Sequence, residues 1–299
     1  MFFKYKNNEG TKHMDFNKQK TMWRNEKATN VASQLKGELW HYTDVNALNG
    51  ILNDKEIWFG NASNMNDKNE LSEFINDLKK EVFLGINEKG KNSVAEEVFK
   101  RIQEKLKSSY PYIFCVSQAC DDAAQWERYA DDGRGYAIVF NTEILSKVCY
   151  NNDFTIDQEF YDCSTKRHEL KDILVNYILT GNWGEFENMD GYMSNLVSCA
   201  KIHKHKSFSA EQEVRISPYY VEEDDLNLTY KLLGFIKRVY VVNLNKLCKK
   251  ANVQFDDFIT AFVIGPKSGQ NIEDLKWYLN KIGLPKLIDK IRISDCPLR

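Results

Sequence analysis

Apolar positions along the chain switch repeatedly between the period of a strand and that of a helix. Leu39 to Thr43 reads as a short strand, and the stretch Val45 to Asn53 that follows carries a helical stripe at Val45, Leu48, Ile51 and Leu52. Lys55 to Phe59 is the next strand. Asn61 to Asp67 is dense in turn and cap formers, so Asn66 or Asp67 caps a helix that runs toward Val82 with Glu70 in its first turn. A Gly/Asn break at Gly85 to Gly90 precedes a second helix, Val94 to Leu106, and Pro111 marks the start of a buried-looking strand at Tyr112 to Ser117. Ala123 to Tyr129 is helical, Gly133 and Gly135 turn the chain, and Tyr136 to Phe140 alternates as a strand. Phe154 to Phe160 is a further strand candidate. Helices at about Arg167 to Leu179 and Glu185 to Ala200 come before a strand from Glu211 to Tyr219. Strands at Phe235 to Val242, Phe258 to Ile264 and Leu287 to Ile293 then alternate with helices at Leu244 to Lys250 and Ile272 to Ile282.

This order predicts an α+β fold and not a doubly wound parallel sheet. Residues 1–36, rich in Lys and Asn with weak periodicity, read as a mobile arm or a loosely docked helix. Residues 37–299 read as one domain with helical insertions at about 66–108 and 163–202. A hydrophobic content of 42% supplies a sizeable core, so global disorder is excluded.

A formal net charge of -2 gives no overall attraction to nucleic acid or anionic membrane, which leaves only local patches. Two basic runs, Lys201 to Lys206 and Lys246 to Lys250, read either as phosphate-facing patches or as solvated faces. The seven cysteines include no Cys-x-x-Cys pair, which argues against a zinc ribbon or a disulfide framework. No metal is assigned, because His203 and His205 lack accompanying carboxylates at ligand spacing. No apolar run is long enough to cross a bilayer and Met1 to Lys20 is not signal-like, so a reducing cytoplasm and no membrane partner are expected.

Three constellations can carry chemistry. On the first strand, alternation puts His41 and Thr43 on one face and Trp40 and Tyr42 on the other. His41 and Thr43 then offer an imidazole donor and a hydroxyl to a sugar edge, or His41 is a structural histidine satisfied by backbone. In Ser209 to Ile216, alternation aligns Glu211, Glu213 and Arg215 opposite Val214 and Ile216. Two neighbouring carboxylates ionise together only beside a cation, a role open to Arg215; the alternative is a solvated amphipathic strand. The third joins Phe114 to Gln118 with Gln125 to Tyr129, where Trp126 and Tyr129 stand three apart and form either an aromatic wall for a flat cationic ring or part of the core.

An ordered set of short motifs extends over Leu39 to Arg299. It comprises His41-Tyr42-Thr43, Asn64-Met65-Asn66-Asp67 with Glu70, Gln125-Trp126 with Tyr129-Ala130, Gly135 to Phe140, Glu211-Gln212-Glu213-Val214-Arg215, Gly265-Pro266-Lys267, and Ser294 with Pro297-Leu298-Arg299. The set resembles a widespread bacterial family of unknown function, which in turn is similar to ADP-ribosyltransferases. That resemblance implies a split mixed sheet with inserted helices and NAD as substrate. It implies Glu213 as the catalytic glutamate, Glu211 as its partner, and His41 on a ribose of NAD. Tyr42, Thr43, Ser117, Trp126, Tyr129 and Arg215 complete the implied binding set, although the middle motif around Ser117 matches poorly and Thr43 replaces an acidic or amide residue.

The implied activity is mono-ADP-ribosylation of a macromolecule by an intracellular toxin or anti-phage effector, with a neutralising antitoxin as partner. The run Lys201 to Lys206 tips the acceptor toward nucleic acid over protein. Two other readings stay open: an NAD glycohydrolase, and a nucleotide-sensing module without turnover.

Overall fold

The computed structural model describes residues 16–35, 37–62, 70–86, 91–108, 111–158, 164–182, 188–219, 221–222, 224–232 and 236–298. The Asn64-Met65-Asn66-Asp67 turn, Cys163 and Arg299 lie outside them.

The chain starts with helix α1 (Phe16–Gln34), then strand β1 (Leu39–Thr43), α2 (Val45–Leu52) and β2 (Glu56–Asn61). Helices α3 (Glu70–Gly85) and α4 (Asn92–Ser108) lead to β3 (Tyr112–Ser117), α5 (Ala123–Tyr129), β4 (Tyr136–Phe140), α6 (Thr142–Asn151) and β5 (Phe154–Gln158). After α7 (Ser164–Thr180) and α8 (Met189–Lys201), a 3-10 turn over Lys206–Glu211 enters β6 (Glu213–Pro218). The rest is β7 (Leu228–Leu232), β8 (Ile236–Asn243), α9 (Leu244–Ala251), α10 (Phe255–Phe258), β9 (Ile259–Ile264), α11 (Ile272–Lys281) and β10 (Ile291–Ile293). Short polar side chains start these helices: Asp44 accepts from Asn46 N and Ala47 N, Asp122 from Gln125 N, and Asn141 from Ile144 N.

The elements make a mixed α+β fold around one ten-stranded open sheet, in the order β10-β9-β4-β1-β3-β2-β8-β7, with β6 on β3 and β5 on β6. Every pairing is antiparallel except β10 with β9. Strand β3 is the junction. It meets β1 at Trp40–Ser117, β2 at Gly60–Ile113 and Asn61–Tyr112, and β6 from Phe114–Ile216 to Ser117–Glu213. Strands β1 and β2 therefore touch β3 near its two ends and leave room between them.

Three apolar clusters hold this arrangement. The largest joins one face of the sheet, with Leu39, Phe114, Ile138, Val214 and Phe262, to helices α2, α6, α9 and α11. A smaller one on the opposite face packs Trp40 and Tyr42 against Trp126, Ala137, Val139, Ala261 and Val263. The third is built from α3, α4, α7 and α8 with Ile86 just after α3, and in it Phe74, Leu78, Phe99, Leu174, Tyr192 and Leu196 are fully buried. The two insertions thus make a helical lobe with its own core.

Residues 16–34 form a helix laid on α6, with Ala28 and Leu35 buried and Arg24 paired to Asp153. The strand predicted from Leu287 is shorter, because Pro285 opens a 3-10 turn to Lys290 and pairing starts at Ile291. Gly135 and Gly265 serve close approach of backbones: a Cβ on Gly135 would collide with the carbonyl of Thr43, and one on Gly265 with that of Gly133. The Gly265-Pro266-Lys267 motif accordingly joins β9 to the turn before β4.

Candidate functional site

A cavity of about 490 Å3 opens where β1 and β2 part from β3. Its walls come from Trp40, His41 and Tyr42 on β1, Gly60 and Asn61 on β2, Cys115 to Ser117 on β3, and Glu213 and Arg215 on β6. Gln125 and Tyr129 of α5, Lys204, Phe208 and Glu211 close one side, and Lys237 and Arg238 at the start of β8 close the other. The size suits a small-molecule ligand, for which pockets of roughly 300–1,000 Å3 are usual.

Strand β6 divides as alternation requires: Val214 and Ile216 enter the sheet core, and Glu213 and Arg215 take the other face. That face is not the solvated one of the alternative reading, since Glu213 is 6% and Arg215 2% exposed. Nor does Glu211 reach it by alternation. It ends the 3-10 turn, and Gln212 in the left-handed region (φ 43°) redirects the chain before β6 begins. Ser117 clamps that turn, donating to the Glu211 carbonyl at 2.5 Å and accepting from Ala119 N at 2.9 Å.

The cation that lets both carboxylates coexist is Lys204, with Arg215 as its second. Lys204 Nζ contacts Glu211 at 2.7 Å and pairs with Glu213 as well. Arg215 Nε donates to Glu213 Oε1 at 3.1 Å and its Nη1 to the Lys201 carbonyl at 2.7 Å. Glu211 Oε1 also accepts from Arg128 at 2.8 Å and from the Tyr129 hydroxyl at 3.2 Å. Burial alone would push the Glu213 carboxyl up, but Arg215 and Lys204 prevail and hold it well below the usual carboxylate range. Glu213 is therefore an anion at neutral pH. The same contacts overcome the effect of burial on Lys204 and hold its ammonium above its ordinary range.

The run Lys201 to Lys206 is thus divided: Lys201, His203 and Lys204 are buried in the protein, and His205 and Lys206 are exposed. Lys201 Nζ donates to Thr155 and Ser217 hydroxyls at 2.8 and 2.6 Å, His203 is buried against Phe74, and His205 caps the 3-10 turn through Ser207 N at 3.2 Å. Among the described residues no His, Cys, Asp and Glu cluster is arranged to hold a metal ion.

His41 sits at the cavity with its ring 4.4 Å from that of Phe114 and Nδ1 2.9 Å from the Cys115 carbonyl. A carbonyl only accepts, so Nδ1 carries the proton and Nε2 is left as an acceptor, the reverse of the donor expected. Burial lowers its pKa from 6.5 to about 4, against the raising effect of the Cys115 carbonyl, so the ring is neutral at pH 7. The unfolded chain then takes up a proton between those values that the folded chain refuses. Stability is expected to fall as pH drops from 6.5 toward about 4. Denaturation midpoints across that range should show a shallower slope for His41→Gln. His203, also pushed down by burial, keeps part of the slope; an identical slope in the variant would show that His41 does not titrate this way.

Other sequence candidates divide. Tyr42 lines the cavity but its hydroxyl is engaged by Ala119 O at 2.6 Å and Asp122 N at 3.2 Å. Thr43 is buried and lies off the wall. Trp126 is fully buried edge-on to Tyr42 with Nε1 on Asp121 at 2.7 Å, so the predicted aromatic wall reduces to Tyr129. Lys204, Gln125, Lys237 and Arg238 also reach the cavity; the sequence marks Gln125 through the Gln-Trp motif and Lys204 only as part of a basic run, and gives no signal for Lys237 or Arg238.

Among protein families, the model of one described as a protein of unknown function (DUF2971) matches residues 125–216, from Gln125 on α5 to Ile216 on β6. No curated protein and no solved structure matches the chain.

Proposed function

We propose that the cavity binds NAD as a substrate and that the chain is a mono-ADP-ribosyltransferase acting on a macromolecule. The observation that carries the reading is an ionised, buried carboxylate, Glu213, on the wall of a cavity that His41 also lines. Four cations, Lys204, Arg215, Lys237 and Arg238, line that cavity against two carboxylates, Glu211 and Glu213, which favours an anionic ligand such as a dinucleotide. In this reading the parted sheet is the split sheet of an ADP-ribosyltransferase-like fold.

The bond between the ribose anomeric carbon and the nicotinamide nitrogen breaks, and its electron pair neutralises the pyridinium. Positive charge left on the sugar is stabilised by Glu213, while His41 Nε2 accepts from a ribose hydroxyl. An acceptor then bonds to the anomeric carbon, and Glu211 positions it or takes its proton. Two of the three lysines that favoured a nucleic-acid acceptor, Lys201 and Lys204, are turned inward onto protein groups and only Lys206 stays exposed, so that preference loses most of its basis. A role as an intracellular toxin or anti-phage effector with an antitoxin rests on likeness to ADP-ribosyltransferases alone.

One feature favours a nucleotide-sensing module instead: Glu213 shares its charge with two cations, which weakens its pull on an incoming positive centre. Incubation of the protein with labelled NAD, total RNA, DNA and protein separates the readings. Label on a polymer is expected. Stoichiometric free ADP-ribose with no labelled polymer would make the chain a glycohydrolase, and NAD binding without turnover would make it a sensor.

A further inference from the structure

Nearly every polar side chain on the cavity wall is engaged within the protein. Glu211, Glu213, Lys204, Arg215, Ser117, Tyr129 and Tyr42 are held as described, the Cys115 thiol lies on Glu213, and Asn61 and Lys237 have interactions of their own. Gln125 and Arg238 differ. Neither side chain has a protein partner among the described residues.

Gln125 is 4% exposed, yet its carboxamide atoms are not among the buried side-chain atoms without a partner. What little surface the carboxamide retains is therefore turned to the cavity. A nearly buried amide with nothing to bond costs about 1–3 kcal/mol, which a ligand offering a donor and an acceptor side by side relieves. Gln125 lies one helical turn before Tyr129, whose hydroxyl holds Glu211, so this amide stands at the carboxylate end. Arg238 comes from β8, beyond the Gly60–Val239 pair, on the side of the cavity that carries no carboxylate. A planar guanidinium with no counter-ion among the described residues is suited to a phosphate.

We infer that Gln125 and Arg238 are the two specificity-determining residues of the cavity, Gln125 pairing with a planar carboxamide and Arg238 with a phosphate. The assignment rests on the NAD reading for the carboxamide, which is the nicotinamide amide, and on charge alone for the phosphate. The ligand lies with nicotinamide toward Glu213 and pyrophosphate toward β8.

Calorimetric titration of the full chain, Gln125→Leu and Arg238→Ala with NAD, nicotinamide riboside and ADP-ribose tests both assignments. Gln125→Leu is expected to weaken NAD and nicotinamide riboside about fivefold to tenfold and to leave ADP-ribose unchanged. Arg238→Ala is expected to weaken NAD and ADP-ribose about tenfold or more and to leave nicotinamide riboside unchanged. Near-parental NAD affinity in both variants would overturn the inference while the NAD reading stood. Losses that did not sort by ligand would overturn it too. Should the parent bind ADP-ribose but neither nicotinamide compound, the NAD reading and the Gln125 assignment fall and Arg238 is judged on ADP-ribose. No binding of any of the three overturns both.

Discussion

Glu213→Gln is expected to abolish NAD turnover and to lower the free energy of unfolding by about 3 kcal/mol, the usual cost of breaking a buried ion pair from one side. The first effect follows from removing the only charge on β6 that can face a developing sugar cation. The second departs from what an exposed strand carboxylate would do. Glu213 and its partners Lys204 and Arg215 are all less than a tenth exposed, so the neutral amide takes from both cations a charged partner they hold in the folded chain. Urea denaturation beside the labelled-NAD assay reads both effects. Retained turnover would remove Glu213 from the mechanism, and unchanged stability would show that the pair contributes nothing to folding. Loss of turnover with NAD affinity preserved would place the defect in the chemical step.

Lys204→Met is expected to destabilise the fold by about 3–5 kcal/mol and to make it sensitive to acid. Glu213 has a depressed pKa in the folded chain, so its contribution to stability is complete above the ordinary carboxylate value of about 4.3 and is lost as pH falls below it. Removing Lys204 withdraws one of the two cations that hold it down and brings Glu211 and Glu213 together without a shared counter-charge. The acid unfolding midpoint should therefore move to higher pH, and any acidic limb in the rate profile should move with it. If acid denaturation of the variant overlaid that of the parent, Lys204 would not be the group that reconciles the two carboxylates.

Much of the frame was legible in local pattern. β1, β3, α5 and β4 have the bounds that alternation, Pro111 and the Asp122 cap dictate, because each couples a strong period to a clear start. Of the elements the pattern did not predict, α6 and β7 differ in the reason. α6 has a helical stripe at Ile144, Leu145, Val148 and Cys149 with an Asn141 cap, a signal present but left unassigned. β7 carries Tyr230 and Leu232 outward, 67% and 73% exposed, so its alternation does not mark a core.

The site was legible where it depends on period and hidden where it depends on tertiary folding. His41, Glu213 and Arg215 stand on strands, and their faces follow from counting by twos. Lys204 lies in a Lys-Ile-His-Lys-His-Lys run of the kind that usually faces water, and only the path from α8 through the 3-10 turn carries it beneath the carboxylates. Glu211 was placed on the strand because nothing local announces that Gln212 turns left-handed. Trp126 at helical spacing proved to be core, the commoner fate of such a residue.

The Asp121 carboxylate, which receives Trp126 Nε1 at the start of α5, also receives the Ser294 hydroxyl at 2.5 Å and Asp295 N at 2.8 Å. The helix that presents Gln125 and Tyr129 is thus fastened by residues the ribosome delivers about 170 positions later. Those two bonds at Asp121 cannot form until translation has passed Ser294, although every residue on the cavity wall is made by Arg238. The loop that leads into α5 is thus the last part of the site's frame to be tied down as the chain is synthesised.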